Sequence, residues 1–271
     1  MSTGVNKILD KPYNDFVIIG NGAVGSFLYS LLGNSFRLLT RHDKLSIPDH
    51  SLIILATKAY DLPHVLTNLD HDALHDIILV QNGYLDDVIS VYNLNFFRLI
   101  LDFGIEKKNK SSGFTVHGSG SFYTNHKYIF ELLREKSSIH YSRDISHMLI
   151  KKLICNAVIN PITAIYSIQN KDVHRYNALA EAIIEEGLLI AKRTIGDPLT
   201  YSEVHDYVSS VIEKTGNNRS SMLQDIENKK KTEIEFINGA LVSLGKVYGI
   251  STPTNSLLYN HIKNIEEAYI C

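Results

Sequence analysis

A glycine-rich turn between an apolar strand and a helix is the feature of this chain that most limits its fold. Gly20, Gly22 and Gly25 directly follow the apolar run "FVII", and helical periodicity begins immediately after them. In a dinucleotide-binding unit the first glycine allows a tight turn and the second lets the backbone approach a pyrophosphate. The third permits close packing of helix on strand, and the helix N-terminus supplies N–H groups. The alternative is a structural turn without a ligand. On the first interpretation the cofactor-binding loop consists of Gly20, Asn21, Gly22, Ala23, Val24 and Gly25.

Apolar runs alternate with helical segments through the first half of the chain. "FRLLTR", "SLIILATKAY" and "DIILVQNG" predict three more strands, and "DLPHVLTNLDHDAL" predicts a helix between two of them. Strands that are apolar throughout are typical of a parallel sheet covered on both faces, and this alternation predicts a doubly wound sheet. "FRLILDFGIEKK", "GFTVHGSG" and "GSFYT" predict strands and turns that close the domain near residue 144. Residues 1–14 are expected to form a short mobile leader.

Beyond residue 144 the pattern changes to long helical stretches. These are expected at 146–168, 177–195, 201–215, 219–248 and 254–269. The expected fold class is therefore α/β, with a Rossmann-type doubly wound sheet in residues 1–144 followed by an all-helical C-terminal domain in residues 145–271. A cleft between two such domains is a common place for a ligand.

Composition excludes some classes of protein. The formal net charge of −2 argues against a nucleic-acid binder that relies on bulk basicity. We find no apolar run approaching the roughly 20 residues that span a bilayer, and no signal-peptide core, so no membrane partner is expected. Cys155 and Cys271 lie far apart in sequence, which favours a reduced, cytoplasmic protein.

Several polar residues follow predicted strands, at the edge where open α/β sheets bind ligands. Arg41 ends the second strand, where arginine suits a 2′-phosphate, but it could also be a solvated surface cation. Asp43, just beyond, keeps an NAD interpretation open because a carboxylate there can bind a ribose diol. Lys58 and Asn82 follow the third and fourth strands, and either alone could be ordinary loop polarity.

Lys152, Asn156 and Asn160 recur every four residues in the apolar stretch "IKKLICNAVINPITAIYS". At 3.6 residues per turn they share one helix face. Because a cation and two amides are costly to bury without partners, they are candidates to line a cleft. The alternative is that Lys152 extends to water and the amides satisfy nearby backbone.

A carboxylate occurs at the edge of an apolar stripe in the predicted helix 219–248, which also holds Ser221 and Asp225. Glu233 precedes Ile237 by four residues, as expected for one helix face. It could equally be a surface group paired with Lys229 or Lys230. The residues alone favour that surface interpretation.

Taken together, these motifs resemble the ketopantoate reductase (2-dehydropantoate 2-reductase) family. The matching segments run in the family's order from about residue 16 to the end: "GNGAVG", "ATKAY", "QNG", "KLICNAVINPITA", "SSMLQDI" and "TEIEFINGAL". The glycine motif is generic, whereas the last three segments are specific. The resemblance implies NADPH-dependent reduction of 2-dehydropantoate to (R)-pantoate, in pantothenate and coenzyme A biosynthesis. It also assigns NADP binding to residues 1–144, and substrate binding and catalysis to residues 145–271.

The resemblance also implies a role for each matching residue. Lys152 is expected to be the catalytic proton donor, with Glu233 as its acidic partner. Substrate contacts are expected at Asn156, Asn160, Asn170 and Ser221. Besides the glycine loop, cofactor contacts are expected at Arg41, Lys58 and Asn82. No metal is expected, and a homodimer is kept as a possible assembly.

Two segments depart from the family pattern. Between Arg41 and Ile53 the chain has only "HDKLSIPDHSL", where the family commonly has a longer insertion, and this puts cofactor affinity in doubt. After the fifth strand, "DFGIEKKNK" replaces the usual Thr/His-rich run, which puts substrate preference in doubt. The alternatives are a reductase of another small 2-keto acid, a non-catalytic NADP-binding sensor and, more distantly, a β-hydroxyacid dehydrogenase.

Overall fold

The computed structural model describes residues 12–107, 114–196 and 199–270. The strands in these ranges are β1 Asp15–Ile19, β2 Arg37–Leu39, β3 Ser51–Leu55, β4 Asp76–Leu79, β5 Asn95–Leu101, β6 Gly104–Lys107, β7 Phe114–His117, β8 Phe122–Thr124 and β9 Ile139–Tyr141. Seven of them form one sheet in the order β2-β1-β3-β4-β5-β8-β9, while β6 and β7 form a separate antiparallel pair. The fold-class prediction is confirmed: helices connect β1 to β2, β3 to β4 and β4 to β5, while the connection from β2 to β3 has no helix.

The first five strands of the large sheet are parallel. All five residues of β3 are buried, because helices pack on both faces of the sheet. This explains the continuous apolar runs. The carboxyl ends of β1, β3 and β4 therefore lie at the same edge of the sheet. Gly20, Lys58 and Asn82, in the loops that follow these strands, consequently lie at that edge.

The far edge of the sheet was predicted less completely. The strand β8 pairs antiparallel with β5, and β9 pairs parallel with β8. Helix α4, Lys127–Leu133, connects β8 to β9, and neither α4 nor β9 was expected from the sequence. Both are short, so they give little periodic signal. Residues 108–110 of the atypical "DFGIEKKNK" segment lie outside the described residues.

The end of the expected leader is part of the fold. The Tyr13 hydroxyl donates to Asp76 and contacts His126. The backbone N–H of Asn14 donates to the His50 carbonyl at 2.9 Å. Side-chain and backbone hydrogen bonds thus attach these two residues of the predicted leader to the α/β part of the fold. Residues 1–11 lie outside the described part of the chain.

The remaining helices connect the strands or build the C-terminal half. They are α1 Ala23–Leu32, α2 Leu62–Thr67, α3 Asp86–Ile89, α5 Ser146–Tyr166, α6 Asn177–Thr194, α7 Tyr201–Lys214, α8 Ser221–Glu227, α9 Asn238–Tyr248 and α10 Pro253–Ile270. Short 3₁₀ segments lie at Ala59–Asp61, Asn170–Tyr176 and Ile234–Phe236.

The single helix predicted over residues 219–248 is wrong. Helix α8 ends at Glu227, and Lys229 adopts a left-handed backbone with φ of +51°. A left-handed residue after a helix terminates it. The chain then passes through residues 230–233 and a 3₁₀ turn before α9 begins at Asn238. Glu233 consequently lies in a connecting segment and not on a helical stripe.

Helix α5 lies at the centre of the C-terminal half. It packs against α6, α7, α8 and α10. It has 21 residues, and an 18-residue window within it has a mean hydropathy of 1.4, so it is long and apolar enough to cross a membrane. This corrects the expectation that no segment approaches that length. Since 67% of that window is buried inside the fold, α5 is the core helix of this half.

Candidate functional site

The glycine loop forms a close contact with the third strand and leaves open space on its other side. Gly20 has φ of +113°, and a Cβ there would lie 2.7 Å from the Ala56 carbonyl carbon. A Cβ on Gly25 would lie 1.8 Å from the Gly20 oxygen, whereas one on Gly22 meets nothing within 4 Å. Only glycine fits the two crowded positions, and Gly22 borders a groove of about 660 Å³. Asn21 lines the same groove, and Gly22 caps α1, so the N–H groups of its first turn, beginning at Ala23 and Val24, are available to an anion.

The two candidates for cofactor choice at the end of β2 differ in their contacts. Asp43 accepts from the backbone N–H of Thr40 at 2.7 Å and from its hydroxyl at 2.8 Å. The backbone bond is the main reason why the pKa of Asp43 lies below its ordinary value. The carboxylate is therefore engaged in its own turn. Arg41 is exposed and lines the groove beside the glycine loop, as the 2′-phosphate interpretation requires.

Lys58 lies where this groove meets a second cavity, of about 300 Å³, in the cleft between the sheet and the helices. Its Nζ donates to Asp225 at 2.6 Å and lies 3.8 Å from a Glu233 oxygen. Burial alone would lower the pKa of Lys58, but the two carboxylates outweigh burial and raise it. Lys58 therefore remains an ammonium, and it is bound to carboxylates on the opposite wall of the cleft. The interpretation of Lys58 as an ordinary polar loop residue is wrong.

Glu233 is buried, with 7% of its surface exposed, so the surface interpretation is wrong. One of its oxygens accepts the backbone N–H of Ala59 at 3.1 Å, and the other faces Lys58. The ion pair that the structure shows is thus with Lys58. The carboxylate lines the cleft that also contains Lys152, but Lys152 is held by a different group.

Helix α5 presents Lys152, Asn156 and Asn160 to the 300 Å³ cavity, as expected for one helix face. The Lys152 Nζ donates to the Leu101 carbonyl, at the end of β5, at 2.6 Å. Burial lowers the pKa of Lys152, while the carboxylates of Asp102 and Glu233 oppose that shift. The Asn156 Nδ2 is buried, and no group in the described part of the chain accepts its hydrogen bond. A buried donor of this kind at a cavity wall is suited to a ligand.

The other predicted substrate and nicotinamide residues line the same cavity. Asn82 follows β4, Asn170 begins the 3₁₀ segment before α6, and Ser221 begins α8. The Asn170 Nδ2 donates to the Thr215 hydroxyl at 2.9 Å, and its Oδ1 is buried without a donor among the described residues. The structure therefore brings every predicted substrate residue to one cavity and the glycine loop to the adjoining groove.

Several residues at the cleft were not singled out from the sequence. Asp225 was noted only as part of a helical run, although it is the close partner of Lys58. The Tyr207 hydroxyl donates to Asp102. Asp102 directly follows β5, whose last carbonyl, that of Leu101, accepts the hydrogen bond of Lys152. Burial raises the pKa of Tyr207. Nothing in the local pattern identifies these pairs, because the partners lie more than 100 residues apart.

Comparison with known proteins adds evidence at this point. Residues 144–266 match a family model described as the ketopantoate reductase PanE/ApbA C terminal. A 2-dehydropantoate 2-reductase from Archaeoglobus fulgidus is 32% identical over 231 residues, covering 80% of this chain and 77% of the relative. Another, from Yersinia pestis, is 29% identical and covers 88% of this chain and 82% of its own.

Solved structures show the same fold. A dimeric ketopantoate reductase from Staphylococcus aureus superposes with a TM-score of 0.79 at 21% identity, covering 94% of this chain and 99% of its own. A D-mandelate dehydrogenase in a ternary structure with NADH and anilino(oxo)acetate gives 0.80 at 21% identity, with coverage of 94% and 100%. The Archaeoglobus relative shares both enough identity and enough length to decide the family: this chain belongs to the ketopantoate (2-dehydropantoate 2-) reductases.

Proposed function

We propose that the protein reduces 2-dehydropantoate to (R)-pantoate with NADPH, in pantothenate biosynthesis. The observation that carries the proposal is the single cavity lined by Lys152, Asn156, Asn160 and Ser221, adjoining the groove of the glycine loop. An ammonium and several amide and hydroxyl groups suit a small keto acid with a hydroxyl. A neighbouring groove suits the dinucleotide.

The residues present fit NADPH. Gly22 leaves open space beside the N-terminus of α1, which suits a pyrophosphate. Arg41 is exposed to the same groove and suits a 2′-phosphate, whereas Asp43 is engaged with Thr40. Lys58, where the groove meets the cavity, would contact the cofactor, and Asn82 would lie near its nicotinamide end. When bound, NADPH supplies the hydride.

Lys152 is the proposed proton donor. As the hydride adds to the carbonyl carbon, the carbon–oxygen double bond becomes a single bond and its electron pair moves to oxygen. The ammonium stabilises this charge and transfers one proton to the oxygen, so an alcohol and a neutral amine result. The lowered pKa of Lys152 favours the transfer.

The remaining residues bind and orient the substrate. Asn156, Asn160 and Ser221 would bind its hydroxyl and carboxylate, and Asn170 supports the same wall. Glu233 is proposed to act as the acidic partner from a distance, because its charge favours the ammonium form of Lys152 while its oxygens hold Lys58 and Ala59.

Two alternatives are tested together with the main proposal. A reductase of a different 2-keto acid is supported by the segment "DFGIEKKNK", which replaces the family's usual Thr/His-rich run and places Asp102 at the wall of the cavity. A sensor would keep the groove and need no proton donor. The D-mandelate dehydrogenase with the same fold was solved with NADH, so both nucleotides belong in the test.

The experiment measures oxidation of NADPH and of NADH with a panel of 2-keto acids. Reduction of ketopantoate with NADPH as the preferred cofactor is expected. Faster reduction of another keto acid would identify that acid as the substrate in place of ketopantoate. Nucleotide binding without any turnover would favour the sensor. We also propose that the protein works in the cytoplasm, and that a homodimer, as named for the Staphylococcus aureus relative, is its assembly.

A further inference from the structure

A proline interrupts the hydrogen-bond ladder of α5 beside the substrate residues. Pro161 lies inside the helix and has no N–H, so the Ala157 carbonyl, four residues earlier, loses its normal helical donor. Ala157 is fully buried, where an unbonded carbonyl is costly. The structure supplies a substitute from another helix, because the Asn238 Nδ2 donates to the Ala157 oxygen at 3.1 Å.

Asn238 is itself held in place by a buried chain of polar groups. Its Nδ2 also donates to the Asn255 Oδ1 at 3.0 Å. The Asn255 Nδ2 donates to Glu186 at 2.7 Å, and the Asn255 backbone N–H donates to the same oxygen at 3.0 Å. Asn238 and Asn255 have no exposed surface. The amide that reaches Ala157 is therefore oriented by a network anchored at α6 and α10.

The bonded carbonyl lies within the turn that carries the substrate amides. Ala157 directly follows Asn156 and precedes Asn160 by three residues, and both asparagines line the cavity. A proline ring clashes with the carbonyl four residues before it and can bend the helix there. The local path of the helix therefore depends on the donor that hydrogen-bonds to that carbonyl.

We propose that Asn238 is a positioning residue for the substrate, because its amide replaces the hydrogen bond that Pro161 removes and fixes the turn of α5 bearing Asn156 and Asn160. Asn238 touches neither cavity nor cofactor groove; it acts through the Ala157 backbone. This inference rests on the proposed function, since it assigns a consequence to the same keto-acid site.

The first test is Asn238→Ala, assayed at a temperature where the variant remains folded. Leaving the buried carbonyl without a donor is expected to raise the KM for ketopantoate by about tenfold or more, with a fall in kcat. The Kd for NADPH should stay within about twofold of wild type, because the glycine loop and Arg41 lie on other elements. A merely structural role would lower the unfolding temperature and leave the KM unchanged.

The second test is rescue by Pro161→Ala. An alanine at 161 has an N–H that can donate to the Ala157 carbonyl, so the double variant Asn238→Ala/Pro161→Ala should recover most of the KM loss. An equal rise in the KM for ketopantoate in Asn238→Ala and in the double variant would overturn the proposal. If Pro161→Ala is itself inactive, the KM of the single Asn238 variant decides alone.

Thr124→Val is the matched control. Thr124 is fully buried in β8, and its hydroxyl donates to the Arg98 carbonyl at 2.8 Å. Thr124→Val should destabilise the fold, because it removes this hydrogen bond and the one that the hydroxyl accepts from the His126 N–H at 3.1 Å, without changing the KM for ketopantoate. Backbone hydrogen exchange across residues 157–163 gives a readout independent of turnover. Faster exchange in Asn238→Ala, reversed in the double variant, is expected, and unchanged exchange would contradict the proposal. A wild type without turnover would refute the proposed function separately.

Discussion

Lys152 donates to the backbone carbonyl of Leu101, and burial at this wall of the cavity lowers its pKa. At the residue scale, that environment makes it a better acid than a solvated lysine. Positioned general acids contribute about 10²–10⁴-fold in rate, so Lys152→Ala should lower kcat by that order and leave the Kd for NADPH unchanged. Lys151→Ala is the matched control, because Lys151 is the adjacent cation on α5 and lies over the Tyr207 ring. Wild-type kcat in Lys152→Ala would remove Lys152 from the reaction.

The same residue predicts the pH dependence of reduction. As the proposed proton donor, Lys152 must be protonated, so kcat should fall as pH rises through its pKa, which burial holds below its ordinary value of 10.5. The alkaline limb should therefore lie below pH 10.5 and be absent from the residual activity of Lys152→Ala. A pH profile of kcat for both proteins checks this, and a limb that persists in the variant would assign the titration to another group.

Arg41 predicts the choice of cofactor. If its guanidinium binds the 2′-phosphate, Arg41→Ala loses charge-assisted hydrogen bonds of roughly 1.5–3 kcal/mol. NADPH binding should weaken by about one to two orders of magnitude, and NADH binding should barely change. Arg37→Ala is a suitable control because Arg37, at the start of the strand β2 that precedes Arg41, pairs with Asp15. Equal losses for both nucleotides, measured by titration, would exclude Arg41 from the phosphate site.

At the scale of elements, the sequence predicted what depends on local periodicity. The buried parallel strands and the helices α5, α6, α7 and α10 were recognisable because each repeats its apolar residues over several turns or fills a whole strand. The break after α8 was not recognisable. Lys229 adopts a left-handed backbone there, a conformation that sequence patterns associate with glycine or asparagine.

The break itself gives a prediction about stability. A β-branched residue tolerates the left-handed region poorly, so Lys229→Val should destabilise the fold by about 1–2 kcal/mol. Lys229→Gly should be neutral or stabilising at the same position, because glycine adopts this backbone without steric cost. Equilibrium denaturation of the three proteins measures the difference. Equal stability of the Val and Gly variants would show that this segment does not keep the observed backbone.

The residue pairs that join the two walls of the cleft could not be predicted from the sequence. Lys58 and Asp225 are separated by 167 positions, and Ala59 and Glu233 by 174. From the sequence alone, Lys58 could be ordinary loop polarity and Glu233 a surface group. Only the family resemblance indicated that Glu233 belongs to the site, and it named Lys152 as its partner where the structure shows Lys58. Long-range pairing has no local periodic signal, so such partners follow from the fold alone.

At the scale of the whole molecule, the two halves meet through contacts that involve the site. Lys58 and Ala59 bind the segment around Asp225 and Glu233, and Lys152 binds the end of β5. The Tyr84 N–H donates to the Phe236 carbonyl at 2.8 Å beside these contacts. The groove and the cavity therefore share one wall, at Ala56, Thr57 and Lys58. A nucleotide bound in the groove, as proposed, would therefore lie next to Lys152 in the cavity.

The most direct test of this account follows the hydride itself. NADPH carrying deuterium at the transferable position of its nicotinamide is incubated with the protein and ketopantoate, and the product is analysed by mass spectrometry. The account predicts (R)-pantoate with one deuterium on the former carbonyl carbon, formed by wild type and strongly reduced in Lys152→Ala. Binding of NADPH without labelled pantoate, or equal labelling by wild type and Lys152→Ala, would contradict it.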